Sequence, residues 1–569
     1  MVRGVQEDGG EGRVVCTLKH YVGYGSTQGG HNGSAAHFGS RELRAVYLPP
    51  FAAAIGVGAG SVMASYNAVD GEPVLGSRRL MTEVLRQELG FTGIVVGDGH
   101  AAENLFAAYR AVPDAPAAVA EAIRCGMDLS LWDAAAEALA GEVESGRLAL
   151  EDLDRAVGHI LETKFRLGLF ERPYLDEGRP ARVVASSEHR AVALAAARAG
   201  VVLLRNQEIA GRRALPLVPD VARLAVVGPN ADAPYNQLGD YTAPHPDGHT
   251  ITPLAALRRL LPQCAITYER GCGINAMDGS GIAAAVAAAR AAGLCIAIIG
   301  GSSARNFNAC FSGTGAVDLG AGQGFEMDSG EGVDRCSLGL GGVQQQMLEE
   351  IHAAGVPIIA VVIKGRPMAL PWLATHAVAI IDAGYPGMEG GTAIAEVLTG
   401  LYNPGGRLAM TAPRDVGHLP VYYHHQPVGW NRYLESDGKP LWRFGDGLSY
   451  TTFVYESCAL RGTEVLRPGA GVVIAVTLRN TGDRAGDEVV QAYVHQEQAP
   501  FSRPTQTLQA FARVHLQPGE ARTIDLELPP SAFALPDRQG VPTWYPGRFR
   551  IAIGGSQDAA RNVTVEIRC

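Results

Sequence analysis

The spacing of hydrophobic residues along this chain changes twice, and each change predicts a different architecture. Between residue 13 and about residue 131, apolar runs of strand length alternate with stretches whose apolar residues recur every three or four positions. The runs are VVCTL at 14–18, SVMAS at 61–65, GIVV at 93–96 and MDLSL at 127–131. Strands that alternate with helices pair in parallel, because a helical crossover returns the chain to the same end of the sheet. The helix in SRRLMTEVLRQELG is sharply delimited: Ser77 stands where an N-cap oxygen is needed and Gly90 just past the last turn.

The stretch RPYLDEGRPAR, rich in Pro, Gly and charge, reads as a linker. VVLLRN at Val201 opens a second α/β series, continued by LAVVGPN, CIAIIGG, PIIAVVI and AVAIIDAG, with helices such as GVQQQMLEEIHAAG between them. This series predicts a doubly wound α/β sandwich. After a connector rich in Pro, Tyr and Trp, the period falls to two in GVVIAVTLRNTG, DEVVQAYVHQ and ARTIDLELPP, as in a fibronectin type III-like β-sandwich. The expected fold is therefore multidomain, α/β plus all-β. A partial TIM-like (β/α)8 barrel covers 1–170, a linker 171–190, the α/β sandwich 191–415, a connector 416–450 and the fibronectin-like domain 451–569.

Composition narrows the function classes. A length of 569 residues calls for about three domains. The 47% hydrophobic and 19% charged fractions are those of an ordinary globular chain, and no apolar run reaches the roughly 18 residues of a membrane span. A formal charge of −10 with no basic, aromatic-studded cluster argues against nucleic acid as a partner. The nine scattered cysteines form no CxxC pair, so neither a zinc site nor a disulfide framework is indicated. No apolar secretory segment follows MVRGVQEDGGEG, and the compartment stays open.

In parallel α/β folds, reactive side chains gather where strands end in βα loops. Three such ends carry polar clusters: Lys19, His20 and Tyr21; Tyr66 and Asn67; and Asp98. Asp98, between Gly97 and Gly99, is placed as a carboxylate that a ligand can approach closely; an Asx turn or helix N-cap is the structural alternative.

These residues resemble glycoside hydrolase family 3. TLKHYVGYG is similar to that family's Lys-His loop, SVMASYNAVDGEP to its Ser-Val-Met strand and GFTGIVVGDGHA to its nucleophile strand. EMDSGEGVDR, YPGMEGGTAIAEVLTGLYNPGGRL and FGDGLSYTTF resemble its later domains. The resemblance implies a retaining, exo-acting β-glycoside hydrolase that needs no cofactor or metal. It most closely implies a β-D-glucosidase, with a β-xylosidase as the alternative, acting on a β-linked glucoside or short oligosaccharide. Asp98 is then the nucleophile and Glu331 the acid/base, while Lys19 and His20 hydrogen-bond sugar hydroxyls and Met63 and Tyr66 line the site. Retention requires two carboxyls about 5 to 5.5 Å apart, one ionised and one protonated. Lys19 is expected to keep Asp98 ionised, and partial burial to favour the protonated form of Glu331. Glu326, in the same Gly-rich stretch, competes with Glu331 for the acid role.

Gly97 stands where the family has Ser, and Gly99 with His100 where it has an aromatic or small residue, so the leaving-group side is expected to differ. Four strand–helix units are half of an eight-stranded barrel, which takes about 250 residues. An open half-barrel is expected to have weak activity and strand edges prone to pair as a homodimer. Two other classes compete: a dinucleotide enzyme, whose phosphate-loop motifs the glycine segments do not match, and a non-catalytic carbohydrate-binding scaffold.

Overall fold

A computed structural model describes residues 1–6, 14–304, 326–428, 432–537, 539–558 and 560–568. Two compact units emerge, the first built on Met1–Ala181 and the second on most of the remaining chain.

In the first unit, strands β1 (Thr17–Tyr21), β2 (Ser61–Ala64), β3 (Ile94–Gly99) and β4 (Leu129–Leu131) form one parallel sheet in sequence order. Helices α1 (Arg79–Glu88), α2 (Ala115–Cys125) and α3 (Leu150–Arg166) supply the crossovers and cover. Leu80, Met81, Val84 and Leu85 of α1 are buried, a stripe at helical spacing, and the Ser77 hydroxyl accepts the Leu80 N–H at 2.9 Å. Asp114 caps α2 in the same way, through the Ala117 N–H at 2.8 Å.

Strand limits differ from the apolar runs. β1 begins at Thr17 because Cys16 N–H bonds the Gln6 side chain and Cys16 carbonyl accepts the Ser61 N–H, where the ladder starts. Lys19 and His20 thus lie within the strand, not after it. β3 likewise runs on to Gly99 and carries Asp98 near its end.

The second unit holds a six-stranded sheet of order β7-β6-β8-β9-β10-β5: β5 (Val202–Asn206), β6 (Arg223–Val227), β7 (Ala265–Glu269), β8 (Cys295–Gly300), β9 (Ile358–Ile363) and β10 (Ala379–Gly384). Every residue of β8 and β9 is buried, and alternate side chains feed two cores. One core is closed by α4 (Ser187–Gly200), α5 (Pro253–Leu260) and α8 (Gly390–Thr399), the other by α6 (Ile282–Ala292) and α7 (Gln344–Ala353). The doubly wound sheet carries one antiparallel edge strand, β5, which pairs with β10. Apolar runs report burial, not pairing sense, so VVLLRN gave no sign of it.

The same unit ends in a β-sandwich. One sheet has the order β11-β13-β16: β11 (Phe453–Arg461), β13 (Val472–Asn480) and β16 (Ala521–Leu528). The other has the order β12-β18-β17-β14-β15: β12 (Val465–Leu466), β14 (Gly486–Gln496), β15 (Thr507–Leu516), β17 (Gly547–Gly554) and β18 (Arg561–Ile567). Strict in–out alternation along β13 fills their shared core.

Candidate active site

Asp98 sits at the C-terminal end of β3 with its side chain 15% exposed, accessible but largely desolvated. Its Oδ1 accepts the Gly99 N–H at 2.8 Å, and its Oδ2 lies 3.4 Å from His20 Nε2. Burial, reinforced by the Lys19 charge and opposed by Asp98, lowers the His20 pKa and so favours the neutral ring. Lys19 itself is exposed on β1, and among the described residues His20 stands within ion-pair distance of Asp98. The Lys19–His20 and Tyr21–Val22 peptide bonds are cis.

Met63 is half-buried on β2, directly opposite Val96 of β3. Tyr66 donates its hydroxyl to the Gly99 carbonyl at 2.9 Å, so it braces the backbone beside Asp98. The Tyr66 carbonyl in turn accepts the Tyr109 hydroxyl at 2.6 Å. At Gly97 an added Cβ would stand 2.9 Å from Met127 Sδ; the space of a serine side chain is filled from β4's approach.

Sequence reasoning missed several supports. Tyr24 packs on His20 with ring centroids 4.5 Å apart, and its place four residues on, in KHYVGYG, was the available signal. Asp128, with a fully buried side chain, accepts from Arg86 at 2.6 Å and Val95 N–H at 2.8 Å and lies 2.8 Å from His159 Nδ1. It ties α1 and α3 to the start of β3.

His100, Glu103 and Asp133 bring ligand-type atoms within 4.8 Å of one another. Thirty residues of separation hid this. Both carboxylates already serve the backbone: Asp133 accepts the Glu103 N–H at 3.1 Å and Glu103 the Ala135 N–H at 3.0 Å. The cluster clasps two βα loops together.

In the second unit, the backbone N–H of Glu331 donates to Asp240 at 3.1 Å and its carboxylate accepts the Tyr241 hydroxyl. Asp328, 1% exposed, anchors this loop: Oδ1 accepts the Ser302 N–H at 2.8 Å, and Oδ2 pairs with Arg366 at 2.9 Å. Glu326 is occupied otherwise. Its carboxylate accepts the Ile274 N–H at 2.6 Å and lies 3.2 Å from Arg270. Part of the AGQGFEMDSGEGVDR segment, 321–325, and the Arg305–Phe307 portion of GGSSARNF lie outside the described residues.

The N-terminal domain model of glycosyl hydrolase family 3 matches residues 1–163, its C-terminal domain model residues 201–450, and a fibronectin type III-like model residues 488–557. The chain belongs to glycosyl hydrolase family 3. Among the relatives of this family 3 chain, a β-xylosidase of Formosa agariphila is 33% identical over 99% of the chain and 76% of its own length. The periplasmic β-glucosidase of Salmonella typhimurium is 32% identical over 96% of the chain and 72% of its own. The β-glucosidase of Listeria innocua, solved with glucose, superposes with a TM-score of 0.89 at 28% identity, covering 100% of this chain and 76% of that one.

Proposed function

We propose that this family 3 chain is a retaining, exo-acting β-D-glucosidase, with Asp98 as nucleophile and Glu331 as acid/base. The observation that carries the reading is Asp98 at the end of a parallel strand, one oxygen fixed by a backbone N–H and the other facing the His20 imidazole. An Asp98 oxygen attacks the anomeric carbon and forms a glycosyl ester. The bond to the leaving oxygen breaks as Glu331 gives that oxygen its proton. Glu331 then takes a proton from water, whose oxygen attacks the same carbon, frees Asp98 and releases the sugar with its configuration retained.

Lys19 and His20 hydrogen-bond sugar hydroxyls in this reading, and Met63 and Tyr66 line the site. The domain limits proposed are those at 170, 190, 415 and 450. Glucose and laminaribiose are bound by the Listeria enzyme, which favours a β-glucoside substrate. The Formosa relative's name favours a β-xyloside as the second reading. A homodimer would form at β1 and β4, each of which has a single neighbour in the four-stranded sheet among the described residues.

The test compares aryl β-glucoside and β-xyloside turnover in wild type, Asp98→Asn and Glu331→Ala. Glu331→Ala should lose about 10²- to 10⁴-fold on poor leaving groups, be far less affected on activated ones and be rescued by azide. Asp98→Asn should lose turnover without rescue. Full activity of Glu331→Ala on a disaccharide contradicts the assignment.

A further inference from the structure

Within the second unit, a cleft of about 1060 Å³ opens where the α/β sheet meets the β-sandwich. Its walls come from β5, the Arg212–Arg213 arm of the following hairpin, the segment 442–453 and the start of β14. Junctions of this kind, concave and of mixed polarity, are common ligand sites.

The arginines lining it are not equivalent. Arg407 is committed to structure: its Nη2 lies 2.8 Å from Glu488, both side chains are buried, and Nε donates to the Gly555 carbonyl at 3.2 Å. Arg212 and Arg484 make no ion pair and no side-chain hydrogen bond among the described residues, and Arg213 donates only to the Asn206 carbonyl at 2.9 Å. Arg484 Nη1 lies 3.1 Å from where a Cβ on Gly400 would stand, at the C-terminal end of α8. The partial negative charge there holds a guanidinium but does not neutralise it. Of the three acids in the cleft, Glu488 is consumed by Arg407, Asp446 accepts the Arg443 N–H at 2.8 Å, and the exposed Asp483 makes no ion pair among the described residues, so the cleft keeps an excess of positive charge. Three guanidiniums without a carboxylate partner therefore share a cleft in a chain of net charge −10.

The cleft also has a sugar-like wall. Trp442 is half-buried: it packs in part against the α/β core and in part lines the cleft, and its indole N–H has no acceptor among the described residues. An aromatic face with a free donor suits a ring that is apolar on one side and hydroxylated at its edge. Guanidiniums suit carboxylates, which they bind through paired N–H groups.

We propose that this cleft is a second binding site, for an acidic oligosaccharide: sugar rings lie against Trp442, and a uronate carboxylate is held by the arginines at positions 212, 213 and 484. The proposal is independent of the roles given to Asp98 and Glu331. It is tested by titration calorimetry on the full chain carrying Asp98→Asn, with xylotetraose, glucuronic acid-substituted xylotetraose and inorganic phosphate as probes, each with and without saturating glucose. The acidic oligosaccharide should bind at least tenfold more tightly than the neutral one, and glucose should not displace it. An Arg212→Gln/Arg484→Gln double variant, altered only at exposed positions, should lose at least tenfold for the acidic ligand. With Asp98 restored, it should keep wild-type turnover of aryl β-glucoside. Equal affinity for the two oligosaccharides, displacement by glucose, unchanged affinity in the double variant, or phosphate binding as tightly as the acidic sugar would each overturn it.

Discussion

Removing the Asp328 carboxylate should unfasten the loop that carries Glu331. In Asp328→Ala, the buried Ser302 N–H loses its 2.8 Å acceptor and Arg366 loses its carboxylate. Among the described residues, Arg366 keeps only long contacts to the Gly339 and Pro367 carbonyls, at 3.3 and 3.4 Å. Its pKa is already lowered by burial, with Asp328 among the opposing influences, so deletion leaves a buried cation without compensation. Breaking a buried, hydrogen-bonded pair from one side costs about 3–5 kcal/mol. For a domain of this size that lowers Tm by roughly 6–20 °C. Because Glu331 lies three residues on, the same change should reduce turnover most for substrates whose leaving group needs a proton. The assay combines the Tm of the full chain, hydrogen exchange at the Ser302 amide, and kcat/KM across aryl glucosides of graded leaving-group ability. In an Arg366→Met/Asp328→Ala cycle, the double variant should recover part of the stability lost in Asp328→Ala, since no buried cation remains unpaired. Loss of less than about 1 kcal/mol, with Ser302 still protected and leaving-group dependence unchanged, would refute the reasoning.

Asp128→Ala should destabilise the first unit by about 3–5 kcal/mol, since it strands Arg86, His159 and the Val95 N–H together; a Tm shift within error would exclude the triad as a fastening. The His20 pKa is lowered in the folded state, so its contribution to stability is present above about pH 6.5 and lost as pH falls through the folded value. His20→Gln should flatten the slope of stability against pH in that window, and an unchanged slope would contradict the burial argument. Chelator should leave aryl glucoside turnover unchanged; loss restored by one divalent metal would instead point to the His100, Glu103 and Asp133 cluster.

Much of the layering was legible because burial writes a period into sequence. The in–out alternation of β13, the cap at Ser77 and the fully apolar β8 and β9 each follow from one local rule. Asp98 was legible too, as a carboxylate between glycines at a strand end. Pairing sense and side-chain partners were not. VVLLRN reads alike for a parallel or an antiparallel strand, and nothing local links Tyr66 to Gly99, 33 positions away, or Asp328 to Arg366, 38 away. The approach of His20 to Asp98 has the same origin: the two lie 78 positions apart, on strands that the fold alone brings near each other.

The central claim, that Asp98 attacks the anomeric carbon, is tested most directly by trapping. The full chain is incubated with dinitrophenyl 2-deoxy-2-fluoro-β-glucoside, digested, and its peptides are weighed and fragmented. A 2-fluoroglucosyl adduct on Asp98, with a matching burst of dinitrophenol and loss of turnover, is the predicted result. An adduct on another carboxylate, or steady turnover of aryl β-glucoside with Asp98 changed to Asn, would contradict it.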